Sequence, residues 1–293
     1  MSKIILIVGP TAVGKTYTSI KLAKYLNAEI INADSRYIYK EPVIATAKVT
    51  KEEMLDVKHH MIDICSLNDD YTIFDFQKDG RRILDKLISE NKNIIIVGGS
   101  GLYIKALLYD YVLEETKIKK IDYSNYSNKE LKDMIDKIDE NNDIHINNRQ
   151  RMERYLSYYQ ETGKTISKTE NANKKLYNFI SIGLTSNREL IYQRINDRVD
   201  YMFNNGLLDE AKKLYDLNLK NYSTIIGYKE LKEYFDGNIS IERAKELIKQ
   251  NSRHYAKRQF TWFNNQMNDI KWFDVNYENI NNTIDEIKEY INY

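Results

Sequence analysis

The chain has 293 residues, is 42% hydrophobic and carries a formal net charge of +1, which is apolar material enough for one large or two modest packed domains and gives no bulk support for nucleic-acid binding. Its single cysteine, Cys65, excludes an internal disulfide and a cysteine-built zinc knuckle, and is read as a buried, inert thiol. No run approaches the roughly 18 apolar residues of a membrane span, and Met1–Val13 leads into a glycine-rich loop instead of a signal-peptide cleavage site, so the expected address is the cytoplasm.

Lys3–Val8 is a nearly continuous apolar run ending in glycine, as a strand covered on both faces requires. Gly9-Pro10-Thr11-Ala12-Val13-Gly14-Lys15-Thr16 follows it directly and matches the G-x-x-x-x-G-K-[ST] phosphate loop residue for residue. The glycines let backbone amides turn toward an anion, the next helix adds its positive N-terminus, Lys15 adds a full charge, and the Thr16 hydroxyl can hold Mg²⁺. The motif leaves open whether the anion is a nucleoside triphosphate or another diphosphate.

A second strand, Glu29–Asn32, runs out at Asp34, and ligands of open α/β sheets bind at the carboxyl ends of strands. Asp34 is therefore expected to face the same crevice as Lys15, although Asp followed by Ser also suits a helix cap or turn. His59 and His60 are adjacent and point in different directions, which argues against a metal pair and favours a structural or contact role over catalysis. Phe76, Ile83, Leu84, Leu87 and Ile88 keep helical spacing, and Asn93–Val97 is a further buried strand. Gly98, Gly99 and Gly101 at its end predict the close approach of a backbone or a ligand.

This alternation predicts an α/β fold, a P-loop NTPase-like parallel sheet with helices on both faces, made by residues 1–116 and 178–293. Between them Lys117–Tyr177 has no β-like run and shows helical spacing at Leu131, Ile135 and Ile138, so it reads as an inserted helical subdomain. There Met152, Leu156 and Tyr159 form an apolar stripe, with Arg151, Arg154 and Tyr158 on an adjoining one; two arginines beside an aromatic suit an RNA backbone and a splayed base. Beyond the strand Phe179–Leu184, a long helix has Ile191, Ile195, Val199 and Met202 on one face, with Arg194 and Arg198 four apart. Another helix is expected from Ser240 to about Asn264. In it Arg253 and Lys257 share a face while Ala256, Phe260 and Phe263 pack inward. The tail after Asp274 reads as a helix for packing or surface.

Several of these segments, in this order, resemble the tRNA dimethylallyltransferase family over nearly the whole chain. They are Gly9–Thr16; Ile31-Asn32-Ala33-Asp34-Ser35 with Tyr39; Thr46-Ala47-Lys48; His59-His60-Met61-Ile62-Asp63; and Val97-Gly98-Gly99-Ser100-Gly101-Leu102-Tyr103. The C-terminal half adds Arg188 with Arg194 and Arg198, Ile226-Gly227-Tyr228-Lys229-Glu230, and Arg253-His254-Tyr255-Ala256-Lys257-Arg258-Gln259-Phe260-Thr261-Trp262. The chain departs from the family pattern at Tyr37 (often Gln), at Ala45-Thr46-Ala47-Lys48-Val49 (Gly-Thr-Ala-Lys-Pro), at Ser100 (Thr) and at Asn147-Asn148-Arg149 (Asn-Asp-Pro).

The resemblance implies a monomeric enzyme that moves a dimethylallyl group from dimethylallyl diphosphate to the N6 amine of an adenosine beside the anticodon, in the anticodon stem-loop of a tRNA. It implies Asp34 as the proton acceptor, Thr11 and Arg188 as catalytic partners of the diphosphate, and Gly9–Thr16 (Gly9, Pro10, Thr11, Ala12, Val13, Gly14, Lys15, Thr16) with Arg194 as the diphosphate site, with Mg²⁺ at Thr16. For tRNA it implies Asp34, Ser35, Arg36, Tyr37, Ser100, Gln150, Arg151, Arg154, Arg253 and Lys257. The competing readings are a nucleotide kinase on the same fold, which leaves Arg253–Trp262 unexplained; a non-catalytic RNA-binding switch, which needs no base at Asp34; and a prenyltransferase of free adenine nucleotides, against which the insertion and its arginines argue.

Overall fold

Strand β1 (Ile4–Val8) is buried along its whole length, and its side chains alternate between two cores, Ile4, Leu6 and Val8 on one face and Ile5 and Ile7 on the other. The structure, a computed structural model, describes residues 2–111, 113, 121–165 and 174–292; the expected insertion boundary at Lys117 lies outside them. In chain order the elements after β1 are α1 (Lys15–Leu26), β2 (Ala28–Asn32), α2 (Lys51–Met54), β3 (His59–His60), α3 (Ile73–Ser89), β4 (Asn93–Val97) and α4 (Gly101–Leu108). Helices α5 (Asn128–Ile138) and α6 (Arg149–Thr162) follow, then β5 (Ile180–Thr185), α7 (Arg188–Asn204), α8 (Leu207–Asp216), α9 (Tyr228–Phe235), α10 (Ile241–Gln266), β6 (Lys271–Asp274) and α11 (Ile280–Asn292).

The six strands form one sheet in the order β3-β2-β4-β1-β5-β6, and every pairing is parallel. One face is covered by α1 and α11, which contribute Ile20, Leu22, Ile284, Ile287 and Ile291 to the core; the other is covered by α3, α4, α8, α9 and most of α10, while α7 reaches both cores, with Ile191 and Ile195 in the first and Val199 and Met202 in the second. The C-terminal helix is thus a packing element. The two edge strands were not legible in the sequence. β3 is two residues long, and β6 buries one apolar side chain, Phe273, so neither offers the periodic signal that longer buried strands do.

The chain divides into two compact units, Met1–Asp110 with Asn173–Tyr293, and Tyr111–Ala172. The second unit holds α5 and α6 around its own small core of Leu131, Ile135, Ile144, Met152, Tyr155 and Leu156. Arg149, where a proline was the expected residue type, donates to the carbonyls of Tyr123 (2.7 Å) and Tyr126 (2.8 Å) and so ties the preceding loop to α6.

Candidate active site

The loop after β1 needs glycine at its first position. Gly9 has φ +148°, and a Cβ there would stand 2.4 Å from the carbonyl oxygen of Leu184. The loop closes at Gly14, which starts α1 without a side-chain cap, so the helix presents its N-terminal amides and partial positive charge to whatever lies in front of it. Lys15 folds back over the loop and donates to the carbonyls of Gly9 (3.0 Å) and Pro10 (2.8 Å). Burial brings its ammonium down to about 8, against the opposing pull of the Asp34 charge.

Asp34 is set by the residue at the end of β2. Buried Asn32 accepts from the Asp34 amide (3.1 Å) and donates to the carbonyls of Asp34 (3.1 Å) and Met61 (2.9 Å). One carboxylate oxygen of Asp34 accepts from the Arg36 amide at 2.9 Å, which is the turn its sequence suggested. The other has no hydrogen-bond partner among the described residues, and the carboxylate lines a cavity of ≈ 660 Å³ together with Thr11, Lys15, Thr16, Tyr37, Arg194 and Arg198. Turn and crevice residue are the same side chain. Ile20, Ala47, Leu55 and Val97 give the cavity an apolar part beside this charged one.

Helix α7 supplies two cations. Arg194 donates to the Ala12 carbonyl (3.0 Å) with its guanidinium 4.1 Å above the Tyr277 ring, and Arg198 donates to the Thr11 hydroxyl at 2.7 Å. The Nε of Arg198 is buried without a partner among the described residues, a donor left over beside the phosphate loop. Arg188, at the start of α7, is exposed, donates to the Tyr192 hydroxyl (3.0 Å), and is not among the residues lining the cavity. A helix rises 1.5 Å per residue, so the separation of Arg188 from Arg198 is about 15 Å along α7, and only the middle of the helix reaches the loop. The sequence signal was the Arg194 and Arg198 pair flanking buried Ile195 and Val199.

The glycines after β4 are explained by a backbone and by side chains. A Cβ on Gly98 would lie 2.3 Å from the Ala33 carbonyl oxygen, while Gly99 and Gly101 face Gln259 and Trp262 of α10. Ser100 accepts from the Ser35 amide at 3.0 Å, joining this turn to the Asp34 loop, and Arg36 donates to the Thr224 hydroxyl at 3.0 Å. Tyr37 turns into the cavity and donates to the Ala47 carbonyl (2.6 Å); burial and the Asp34 charge push its phenol above the ordinary range. Tyr255, raised to about 12 by burial and by Asp34, stands near Ser100.

Other singled-out segments are framework. Lys48 is buried and pairs with Asp63 at 2.6 Å while donating to the Tyr39 carbonyl, so the Thr46-Ala47-Lys48 and His59–Asp63 segments hold each other. His60 meets Glu29 at 2.7 Å and His59 the Val57 carbonyl at 2.8 Å. The Cys65 thiol is buried and pushed up to about 11 by burial, which suits an inert group. Sequence reasoning missed Glu210, whose carboxylate accepts from the amides of Val43 (3.0 Å), Ile44 (2.8 Å) and Ala45 (3.0 Å) and from the Tyr228 hydroxyl (2.7 Å), pinning the loop that carries Thr46 and Ala47.

Of the expected RNA contacts, Lys257 is exposed, whereas Arg253 is held by Asn196 at 2.5 Å. Phe260 is exposed and Gln259 buried, because the packed face of α10 runs through Ala256, Gln259 and Phe263. In the second unit Gln150, Arg151 and Arg154 are exposed on α6, with Arg151 paired to Asp143 at 2.9 Å. There the expected aromatics exchange places. Tyr158 is buried and Tyr159 exposed, since the packed stripe includes Tyr155 beside Met152 and Leu156.

No group of three His, Cys, Asp or Glu side chains is placed to cage a metal among the described residues. Thr16, with Glu53 and Asp197 lining the same cavity, instead matches what Mg²⁺ uses beside phosphates: one or two protein oxygens, waters and phosphate oxygens. No helix among the described residues is long and apolar enough to cross a membrane.

A family model described as IPP transferase matches residues 37–266. The chain is 45% identical over 285 residues to a tRNA dimethylallyltransferase of Bacillus velezensis, covering 93% of this chain and 90% of that one. It is 43% identical over 300 residues to the tRNA dimethylallyltransferase of Anoxybacillus flavithermus, covering 99% and 96%. Among solved structures it is similar to a tRNA isopentenylpyrophosphate transferase of Staphylococcus epidermidis, with TM-score 0.75, 39% identity, and 100% and 99% of the two chains covered. It is also similar to a eukaryotic dimethylallyltransferase acting on tRNA, with TM-score 0.77, 28% identity, and 94% and 74% covered.

Proposed function

The chain belongs to the IPP transferase family, and from that premise we propose that it transfers a dimethylallyl group from dimethylallyl diphosphate to the exocyclic N6 amine of an adenosine beside a tRNA anticodon, acting as a monomer and releasing diphosphate. The observation that carries this reading is one cavity lined by a carboxylate with an unpartnered oxygen, Asp34, and by the phosphate loop with Lys15, Thr16 and Arg198.

The chemistry asks for both. An adenine amine has its lone pair delocalised into the ring and is too weak an acid to lose its proton first. The new N–C bond therefore forms as the allylic C–O bond breaks, and the proton passes to the free oxygen of Asp34. Negative charge grows on the bridging oxygen of the departing diphosphate. The Thr11 hydroxyl, held by Arg198, the Lys15 ammonium and the amides at the start of α1 stabilise it there. Mg²⁺ at Thr16 would neutralise further diphosphate charge when bound. The apolar part of the cavity, with Ile20, Leu55 and Val97, suits the isoprenoid tail.

For the acceptor, the target base must leave its stack to meet Asp34. Arg36 donates its amide to that carboxylate, Ser35 follows Asp34 and is joined to Ser100, and the exposed Gln150, Arg151, Arg154 and Lys257 supply hydrogen bonds and charge for the RNA backbone. The test is mass spectrometry of nucleosides digested from unmodified tRNA after incubation with the protein, dimethylallyl diphosphate and Mg²⁺. A prenylated adenosine from the anticodon loop, formed without ATP, is the expected result. Product only with free adenine nucleotides, or stoichiometric ATP consumption, overturns the reading.

A further inference from the structure

We propose that Gln259 is a positioning residue that holds the donor loop and the acceptor side of the cavity in one register, a role that rests on the reading of function given above. Gln259 is 5% exposed on α10, between buried Ala256 and Phe263. Its Oε1 accepts from the Thr11 amide at 2.8 Å, and its Nε2 donates to the Gly99 carbonyl at 3.0 Å. The amide orientation is forced, because a backbone N–H can only donate and a carbonyl can only accept.

The two partners belong to the two halves of the reaction. Thr11 lies in the loop that takes the diphosphate. Its amide is claimed by Gln259, so it is left to act through its hydroxyl, which Arg198 holds at 2.7 Å. Gly99 precedes Ser100, whose hydroxyl accepts from the Ser35 amide beside Asp34. A single rigid amide therefore spans from the group at the leaving oxygen to the turn beside the proton acceptor. Space has been cleared for it: a Cβ on Gly99 would lie 2.0 Å from the Gln259 Nε2. Trp262, one turn along the same helix, takes the corresponding space at Gly101, at 2.1 Å. α10 thus carries a face fitted to the donor and acceptor walls together.

In-line displacement depends on the alignment of amine, carbon and leaving oxygen, and a misplacement near 1 Å costs about 100-fold. Loss of the clamp should therefore reduce the chemical step far more than donor binding, since Lys15 and the α1 amides remain. Gln259→Met keeps the volume and removes both hydrogen bonds. We expect a folded protein by circular dichroism, a Kd for inorganic diphosphate within about threefold of wild type, and a single-turnover prenylation rate down roughly 10- to 100-fold.

Gln259→Glu supplies a second readout. An ionised carboxylate accepts from Thr11 but repels the Gly99 carbonyl, whereas the protonated acid accepts and donates as the amide does. The ratio of variant to wild-type rate should rise as pH falls from 8.5 to 6; Lys15, Asp34, Arg198 and Tyr255 are present in both proteins, and the shift a charge at residue 259 gives them is read from a parallel pH series of diphosphate affinity in wild type and variant. Equal loss of rate and diphosphate affinity in Gln259→Met, or a flat Gln259→Glu ratio, overturns the proposal; if Gln259→Met does not fold, the ratio alone decides. Prenylation by wild type in the same assay tests the reading of function separately, and a wild type without product overturns both.

Discussion

Asp34→Asn separates the two tasks of this side chain. Asparagine keeps the acceptor that binds the Arg36 amide at 2.9 Å, and the Asn32 hydrogen bonds to the Asp34 backbone are untouched, so the turn should persist. Replacing a charge-assisted hydrogen bond by a neutral one at a half-exposed site costs about 1 kcal/mol at most, or roughly 2–4 °C in Tm for a domain of this size. Removing a positioned base costs about 10²–10⁴-fold in the chemical step, which is about 2.7–5.4 kcal/mol of barrier. The catalytic effect should therefore exceed the structural one several times over. The Asp34 charge also raises Lys15, so the variant should shift the Lys15 titration to still lower pH. The assay is a single-turnover measurement at saturating tRNA and donor, with both affinities measured separately. A rate within about threefold of wild type refutes the assignment of the proton to Asp34.

Donor binding should be pH-dependent in a direction set by Lys15. The free ammonium titrates at about 8, and a diphosphate favours the protonated form, so calorimetric affinity for dimethylallyl diphosphate should fall as pH rises above about 8. Lys15→Ala should bind more weakly at pH 7 and show a flat profile, with tRNA affinity unchanged by gel shift. For folding, burial disfavours the ammonium, a cost present in full below about 8 that fades toward the ordinary lysine value as pH rises, so Lys15→Ala should narrow the gain in wild-type stability over that window. Arg198→Ala should cost about 10²–10³-fold in turnover, the scale of losing one donor to a developing oxyanion, while Arg188→Ala should stay within about threefold; comparable losses would return Arg188 to the site. Arg151→Ala with Arg154→Ala should flatten the slope of log K against log salt for tRNA by roughly 1.4–1.8, and an unchanged slope would leave both as solvated surface residues. Their exposed positions, and the weak exposed pair of Arg151 with Asp143, make loss of folding an unexpected outcome.

The local sequence determined everything that depends on neighbours along the chain. β1, β2, β4 and β5 were legible because strands buried on both faces read as apolar runs, and the phosphate loop because its conformation needs glycine, lysine and a hydroxyl at set spacings. α10 begins where the helix was expected, at Ser240, whose side chain caps it by accepting from the Arg243 amide. Only the tertiary structure decided what depends on which distant segments meet. The order β3-β2-β4-β1-β5-β6 brings the end of β2 beside the loop after β1 through β4, and so places Asp34 and Lys15 on one cavity. Position along α7 put Arg198, ten residues beyond Arg188, at the phosphate loop, while helix phase, a matter of one residue, buried Tyr158, exposed Tyr159 and turned Gln259 inward where Phe260 was expected. Periodicity identifies an amphipathic helix but assigns a borderline side chain to a face only within about a residue, since 3.6 residues per turn leaves each neighbour 100° away. Glu210 and Gln259 were illegible for a related reason. A polar side chain whose partners are backbone amides 165 or 248 residues away carries no local pattern, and its meaning appears only when the chain is closed around it.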